Sequence, residues 1–330
     1  MSIRLLAIGD MHLGRMPSRL PDALAKQPET FSPTSAWERT VLTAIDQEID
    51  LVVIAGDLVD QEDNFFEAYR PLEQGINQLV EAGIKVVGVS GNHDVHVLPR
   101  LANQLSAFRL LGGNGQWEQF NFEKEGERLT IHGWSFPKAV VDYNPVTGHQ
   151  FELQPGVNFG LLHCDLDQAQ SRYAPVSTAS LKQTDLDAWL LGHIHVPSDL
   201  SVDNRIGYLG SLSGLHVGES GRRGPWLFEI DEGQIQAVTQ WQLAPLVWEH
   251  IDLDITGLTQ PTQAIEDLMT AVRLLSQKWL VSEQAPQAMG LRIFLRGETN
   301  QAKDITEALL DQKPNNLSSG EIDYVFLESI

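Results

Sequence analysis

The sequence predicts an α/β fold followed by a small α+β unit, and three observations lead there. Short apolar, largely β-branched runs recur, each closed by glycine and a polar residue; helical patterns separate the early ones; and beyond Pro245 strand and helix patterns alternate again on a smaller scale. Unbroken apolar runs, as opposed to alternating ones, belong to strands covered on both faces.

In chain order, "IRLLAIGDMH" opens the series from Ile3. "SAWERTVLTAIDQEI" then predicts a helix from Ser35, its N-cap, to Ile49. After the strand of "DLVVIAGDLVD", "NFFEAYRPLEQGINQLVEAG" predicts a helix from Asn64 to a terminating Gly83, kinked or broken by Pro71 and Gly75. "IKVVGVSGNHD", "VNFGLLHCD" and "LDAWLLGHIH" repeat the strand-and-glycine plan. From Arg205 the pattern changes to strands joined by turns: "RIGYLGSL", then "WLFEI" and "IQAVTQW" paired as a hairpin through Asp231-Glu232-Gly233. Pro245 marks a boundary, giving domains 1–244 and 245–330. The second reads strand "VWEHIDLDI", helix "PTQAIEDLMTAVRLLSQKWL", strand "MGLRIFLRGE", helix "AKDITEALLD", strand "IDYVFLESI". The Pro- and Ser-rich loop from Arg15 to Thr34 is expected to be partly mobile or to overhang the site.

Composition narrows the function. With 330 residues, 42% of them hydrophobic, the chain has material for a sizeable core. Its formal charge of −21 comes from 44 acids against 23 bases, with 13 acids and 6 bases beyond Ala244, so neither part is basic. An acidic field opposes nonspecific attachment to nucleic acid or anionic membrane, although bound divalent cations reverse the local sign in a cleft. The single cysteine, Cys164, excludes an intrachain disulfide and a thiolate-cluster metal site. "MSIRLLAIGD" reaches charge within ten positions and reads as neither secretory signal nor membrane span, so a cytoplasmic, soluble protein is expected.

The residues ending the apolar runs carry the chemistry: Asp10 and His12, Asp57 and Asp60, Asn92 and His93, His163, His193 and His195. Neighbouring strands lie about 4.8 Å apart, so side chains leaving their carboxyl ends converge on one small volume. Oxygen and nitrogen donors without thiolate suit a pair of divalent first-row metals such as Mn, Fe, Co or Zn, with one carboxylate as bridge. In "DMH" and "HIH" the two donors stand at i and i+2, which on an extended segment puts both on one side. Gly9, Gly56, Gly91 and Gly192 are expected to provide the tight turn before them.

With these blocks in order, "GDMH", "GDLVD", "GNHD", "LLH" and "GHIH", the chain resembles the calcineurin-like metallophosphoesterases. "GDMHLG", "RYAPVSTASLKQTDLDAWLLGHIH" and "YLGSLSG" are most similar to its bacterial DNA-repair exonuclease branch, the SbcD-like and especially YhaO-like proteins. The resemblance implies a four-layer αββα sandwich of two mixed β-sheets flanked by helices, with a small α+β cap. It implies one metal on Asp10, His12, Asp57 and His195 and another on Asp57, Asn92, His163 and His193, with Asp57 bridging. His93 is then the residue facing the substrate phosphate, and Asp60 the acid that bonds it and keeps it charged. The implied cofactors are two divalent ions, Mn2+ foremost, with Fe, Co, Zn or Mg as alternatives. Two cations about 3.5 to 4 Å apart lower the pKa of a water and neutralise charge developing on phosphoryl oxygens.

Other residues have quieter readings. Asp94 is expected to support its motif by hydrogen bonds, His96 to lie on a loop surface, and Cys164 to be a buried small hydrophobe. His132, His149, His216 and His250 lack a partner pattern and are read as structural. Trp117, Trp134 and Tyr173 favour packing over base stacking; Tyr173, Arg222 and Arg223 are the candidate substrate contacts. Leu215 stands where the branch carries an arginine.

The leading expectation is a Mn-dependent DNA exonuclease or endonuclease, 3′-to-5′ by resemblance, in repair or end processing. A phosphodiesterase or phosphatase on small phosphoesters is the alternative that the acidity favours. A weakly active DNA-tethering subunit is a third, opposed by the complete donor set. The branch implies an SMC-like or Rad50-like ATPase partner bound through a helical tail, whereas this sequence ends at "YVFLESI" in a strand-like segment; a homodimer stays open.

Overall fold

A computed structural model describes residues 2–60, 65–105, 107–280, 284–320 and 322–330. Contacts divide the chain into two compact units: residues 1–15, 36–212 and 224–241 form the first, and residues 16–35, 213–223 and 242–330 the second.

In the first unit, strands β1 (Ile3–Ile8), β2 (Leu51–Ala55), β3 (Lys85–Val89) and β4 (Phe108–Leu110) pair in parallel. β10 (Trp226–Asp231) and β11 (Gln234–Gln240) continue the sheet antiparallel on the far side of β1, giving the order β11-β10-β1-β2-β3-β4. The second sheet runs β5 (Trp117–Lys124), β6 (Glu127–Trp134), β7 (Val157–His163), β8 (Ala188–Gly192) and β9 (Ile206–Tyr208); only its first pair is antiparallel. The two mixed sheets share one apolar core: Leu5, Ala7, Val53, Ala55 and Val89 of the first meet Ile131, Phe159, Leu161 and Leu190 of the second. Because strand side chains alternate, Leu6, Ile8, Val52 and Ile54 face the other way and are equally buried. This burial on both faces is why the runs read as continuous hydrophobics.

Helix α1 (Pro33–Asp46) starts two residues before the expected N-cap. Ser32 does the capping: its hydroxyl accepts the Ser35 N–H at 3.4 Å, and Pro33 fits the first helical position because it has no N–H to satisfy. Helix α2 (Phe65–Glu81) runs unbroken through Pro71 and Gly75, and the expected first residue, Asn64, lies outside the described residues. The Trp37 indole packs on this stretch: its N–H donates to the Pro71 carbonyl at 3.0 Å, and its ring lies where a Gly75 Cβ would stand. Gly75→Ala, a change that gains up to about 1 kcal/mol in an unhindered helix, is therefore expected to destabilise by about 1 to 3 kcal/mol through overpacking, measured by urea unfolding. The outer face of the second sheet carries Trp134, Phe136, Val141, Ala174, Val176 and Leu181, from loops and the five-residue helix α4 (Thr178–Lys182), which follows α3 (Leu98–Gln104).

The β10–β11 hairpin turns at Glu232 and Gly233, whose φ of 53° and 69° make the two-residue, left-handed turn that matches strand twist. A second hairpin, β5–β6, went unread in the sequence although Glu125 and Gly126, at φ 51° and 92°, repeat the same turn.

The second unit is built on β12 (Leu246–Asp254), α5 (Pro261–Trp279), β13 (Ala288–Arg296), α6 (Ala302–Leu310) and β14 (Tyr324–Ser329), three parallel strands in sequence order. Val247, Ile251, Met289, Leu291 and Val325 pack against Leu268, Val272, Ile305 and Leu309 of the helices. The opposite face, with Leu246, Trp248, Ala288 and Phe326, is covered by Leu20, Leu24, Phe31 and Val217. The Arg15–Thr34 loop is thus a strap anchored at Leu20, Leu24 and Phe31, with much of its remaining length exposed. Arg19 and Arg292 both bond the buried Glu328 carboxylate, at 2.5 and 3.3 Å, and fasten the strap to β14. Among the described residues, no helix is long and apolar enough to cross a membrane.

Candidate metal centre

Five strands of the first unit deliver the polar residues from their carboxyl ends: β1 to Asp10 and His12, β2 to Asp57 and Asp60, β3 to Asn92 and His93, β7 to His163, β8 to His193 and His195. Two groups of donor atoms result, each within 4.8 Å mutually: Asp10, His12 and His195, and Asp57, His163 and His193. In the first, His12 Nε2 faces His195 Nε2 at 2.9 Å. In the second, His163 Nε2 lies 3.3 Å from Asp57 Oδ2, 3.1 Å from Asn92 Oδ1 and 3.3 Å from His193 Nδ1. Asp57 Oδ2 is also 3.9 Å from His12 Nε2, so this carboxylate stands between the groups.

The donors are crowded in a way that suits cations. Asp10, Asp57 and His163 are buried, and the nitrogens and oxygens aimed at one another leave lone pairs that a divalent ion would satisfy. His163 Nδ1–H donates to the Ala55 carbonyl at 3.0 Å, which turns Nε2 inward as a donor atom.

The backbone explanation from the sequence needs correction. Asp10, His12 and Asp57 have φ of 41°, 46° and 50°, and His193 of 107°, so the donor residues themselves adopt left-handed conformations, and "DMH" is not extended. Of the four glycines only Gly56 has positive φ; Gly91 is required because a Cβ would collide with the Asp57 carboxylate. Such strain persists only when surroundings over-determine it. They do: His12 N–H donates to the Asp57 carbonyl at 2.9 Å, His93 N–H to Asp57 Oδ1 at 3.0 Å, and His193 N–H to the Asp10 carboxylate at 2.9 Å.

Asp94 ties two of these loops together. Fully buried, it accepts the Leu58 N–H on Oδ2 and the Gly91 N–H on Oδ1, each at 2.8 Å. Asp94→Ala orphans two buried donors and is expected to cost about 2 to 4 kcal/mol in denaturant unfolding, from about 1 to 3 for each unsatisfied group. Burial and the Asp57 charge push its carboxyl up to about 7 against the opposition of those N–H groups. A folded pKa above the unfolded value contributes stability below about 4 that is lost as pH rises to about 7. The Asp94 contribution should therefore fall across that window, against the opposite slope of His193, and Asp94→Asn, which cannot titrate, should remove the Asp94 part of the slope.

The other charges follow their neighbours. Burial works to raise Asp57, but the charge and hydrogen bond of His163, then His12, hold it below the usual carboxylate range. Burial works to lower His163, and Asp57 and Asp10 overcome it, raising the imidazole to about 9. Burial and the charge of His163 lower His193 to about 4.

Asp60 has two histidine neighbours. Its Oδ1 lies 3.0 Å from His12 Nδ1 but 3.9 Å from His93 Nδ1, which instead meets the Asp60 main-chain carbonyl at 2.9 Å. The hydrogen bond from His12 holds Asp60 below the usual range. His93 is exposed at the edge of the cluster, its ring centroid 5.3 Å from that of His12. Tyr173 lies against His193, ring centroids 4.9 Å apart. Arg223, a candidate substrate contact, is only 1% exposed in the second unit, and its guanidinium donates to the Arg222 carbonyl. His96 is exposed, and Cys164 is buried in the apolar layer outside the second sheet. Asp165 was missed; its Oδ1 is 3.4 Å from His193 Nε2, and the signal was "HCD", the i and i+2 spacing of "DMH" and "HIH".

Nitrogen and oxygen donors gathered in two adjoining groups where two facing sheets end define the chain as a mixed α/β protein with two candidate metal sites. It belongs to the calcineurin-like phosphoesterase family, whose model matches residues 3–197. Among relatives, the chain is 26% identical over 242 residues to the uncharacterized metallophosphoesterase YhaO of Bacillus subtilis, covering 70% of this chain and 58% of YhaO. It is 24% identical over 270 residues to the DNA double-strand break repair protein Mre11 of Methanopyrus kandleri, covering 75% and 58%. The chain thus spans just under three fifths of each relative's length. A dimetal phosphatase from Danio rerio superposes with a TM-score of 0.45 at 12% identity, over 72% of this chain and 96% of that one.

Proposed function

We propose that this protein is a two-metal phosphodiesterase that hydrolyses DNA at its ends, with Mn2+ as the working ion. The observation that carries the reading is the adjoining donor groups, Asp10/His12/His195 and Asp57/His163/His193, with Asp57 between them and an exposed imidazole, His93, at their edge. Asp57 and Asn92 complete the ligand sets. Two divalent ions held there supply Lewis acidity to the phosphoryl oxygens and a water acidic enough to serve as nucleophile.

The side chains then divide the work. Asp60 orients His12 through its carboxylate and His93 through its carbonyl. With Nδ1–H engaged by that carbonyl, His93 presents Nε2 to the substrate, in position to bind the phosphate and protonate the departing oxygen. Asp94 keeps the β2 and β3 loops in register. The DNA reading is supported by the likeness to Mre11, a DNA double-strand break repair protein; a Rad50-like ATPase partner belongs to the same proposal. The net charge of −21 favours a second reading, hydrolysis of small phosphodiesters.

The test is Mn2+-dependent degradation of end-labelled single- and double-stranded DNA beside bis-p-nitrophenyl phosphate and cyclic nucleotides. Processive loss of the DNA label, abolished by chelator, is expected. Turnover of the small diesters with none of any DNA would establish the second reading instead.

A further inference from the structure

We infer that Asp165 is a positioning residue for His193, and that the short loop behind it is built as a brace which keeps His193 in its metal-binding tautomer. The inference rests on the proposed reading of His193 as a ligand. Asp165 Oδ1 lies 3.4 Å from His193 Nε2, while His193 Nδ1 faces His163 Nε2 at 3.3 Å. An imidazole in this position has two neutral forms. With the proton on Nε2 it donates to Asp165, and Nδ1 offers its lone pair to the Asp57/His163 group. With the proton on Nδ1, and His163 in its neutral form, it donates to His163 Nε2 instead, and two of the donor atoms satisfy each other and close the site. A carboxylate at Nε2 favours the first form, since it can only accept.

The carboxylate is itself held. Ser171 Oγ donates to Asp165 Oδ2, and the Tyr173 N–H donates to Ser171 Oγ at 2.9 Å. The Asp165 N–H returns a bond to the Tyr173 carbonyl at 2.8 Å, closing a ring of contacts within residues 165–173. From that same loop the Tyr173 ring packs on the imidazole. One loop therefore supplies both the hydrogen-bond acceptor and the flat surface that hold His193 against its unfavourable φ of 107°.

The experiment compares the full chain with Asp165→Ala, Ser171→Ala and His193→Ala. Mn2+ binding is followed by calorimetry, and the histidine tautomers of the metal-free protein, at a pH where His163 is neutral, by 15N–1H correlation spectra. Asp165→Ala is expected to weaken one of two Mn2+ sites about 10- to 100-fold, leave the other unchanged, and move His193 from the Nε2–H form toward Nδ1–H. Ser171→Ala should give the same changes at smaller amplitude, and it carries the test should Asp165→Ala not fold. Unchanged Mn2+ affinity and tautomer in a folded Asp165 or Ser171 variant overturns the brace. His193→Ala separates this from the broader reading: two intact Mn2+ sites in that variant would refute His193 as a ligand, whereas a site lost there but kept in Asp165→Ala refutes the brace alone.

Discussion

Asp57→Ala should strip the protein of bound metal and of turnover together. The carboxylate lies 3.3 Å from the nearest nitrogen of His163 and 3.9 Å from that of His12, so it stands between the two donor groups. It also accepts the His93 N–H, and its charge does much to hold His163 above the ordinary imidazole range. Removing it takes a shared ligand from both sites and leaves six candidate ligands to hold two mutually repelling cations. Elemental analysis should show the metal content falling from about two ions per chain to below one, with hydrolysis at background. Retention of both ions would mean that Asp57 is not the bridge.

His93→Ala should separate binding from chemistry. No atom of His93 belongs to either donor group, and its ring is held by the Asp60 carbonyl at the exposed edge. Both ions should stay, while turnover drops about 10²- to 10⁴-fold, the usual worth of a positioned proton donor. The loss should be smaller for a substrate whose leaving group needs no proton, such as p-nitrophenolate, than for a nucleotide. Equal metal loss in the His93 and Asp57 variants would contradict the division of roles.

The sequence announced both residues plainly. Asp57 and His93 each follow an apolar run and a glycine, a local signature that survives without any knowledge of the fold. Asp60 carried the same signature, yet its carboxylate meets His12, 48 residues earlier in the chain, more closely than His93, the histidine the resemblance assigns to it. Asp165 had the right spacing after His163 and was passed over because its partner, His193, comes from the next strand. The two Glu-Gly hairpins make the same point in the fold. "DEGQ" lies between apolar strands and was read as a turn, while "EKEGER" lies in a charged run that resembles a loop and conceals an edge hairpin.

What the sequence determined by itself was whatever is encoded within a few residues: strands buried on both faces, the helices between them, and the donor atoms at their carboxyl ends. Tertiary structure decided which donors pair, which backbone positions bear the strain, and that the strap of residues 16–35 covers the β12–β14 sheet. Those outcomes depend on atoms brought together from distant parts of the chain. A side chain's hydrogen-bond partner is set by the approach of strands about 4.8 Å apart, and neighbours in space need not be neighbours in sequence.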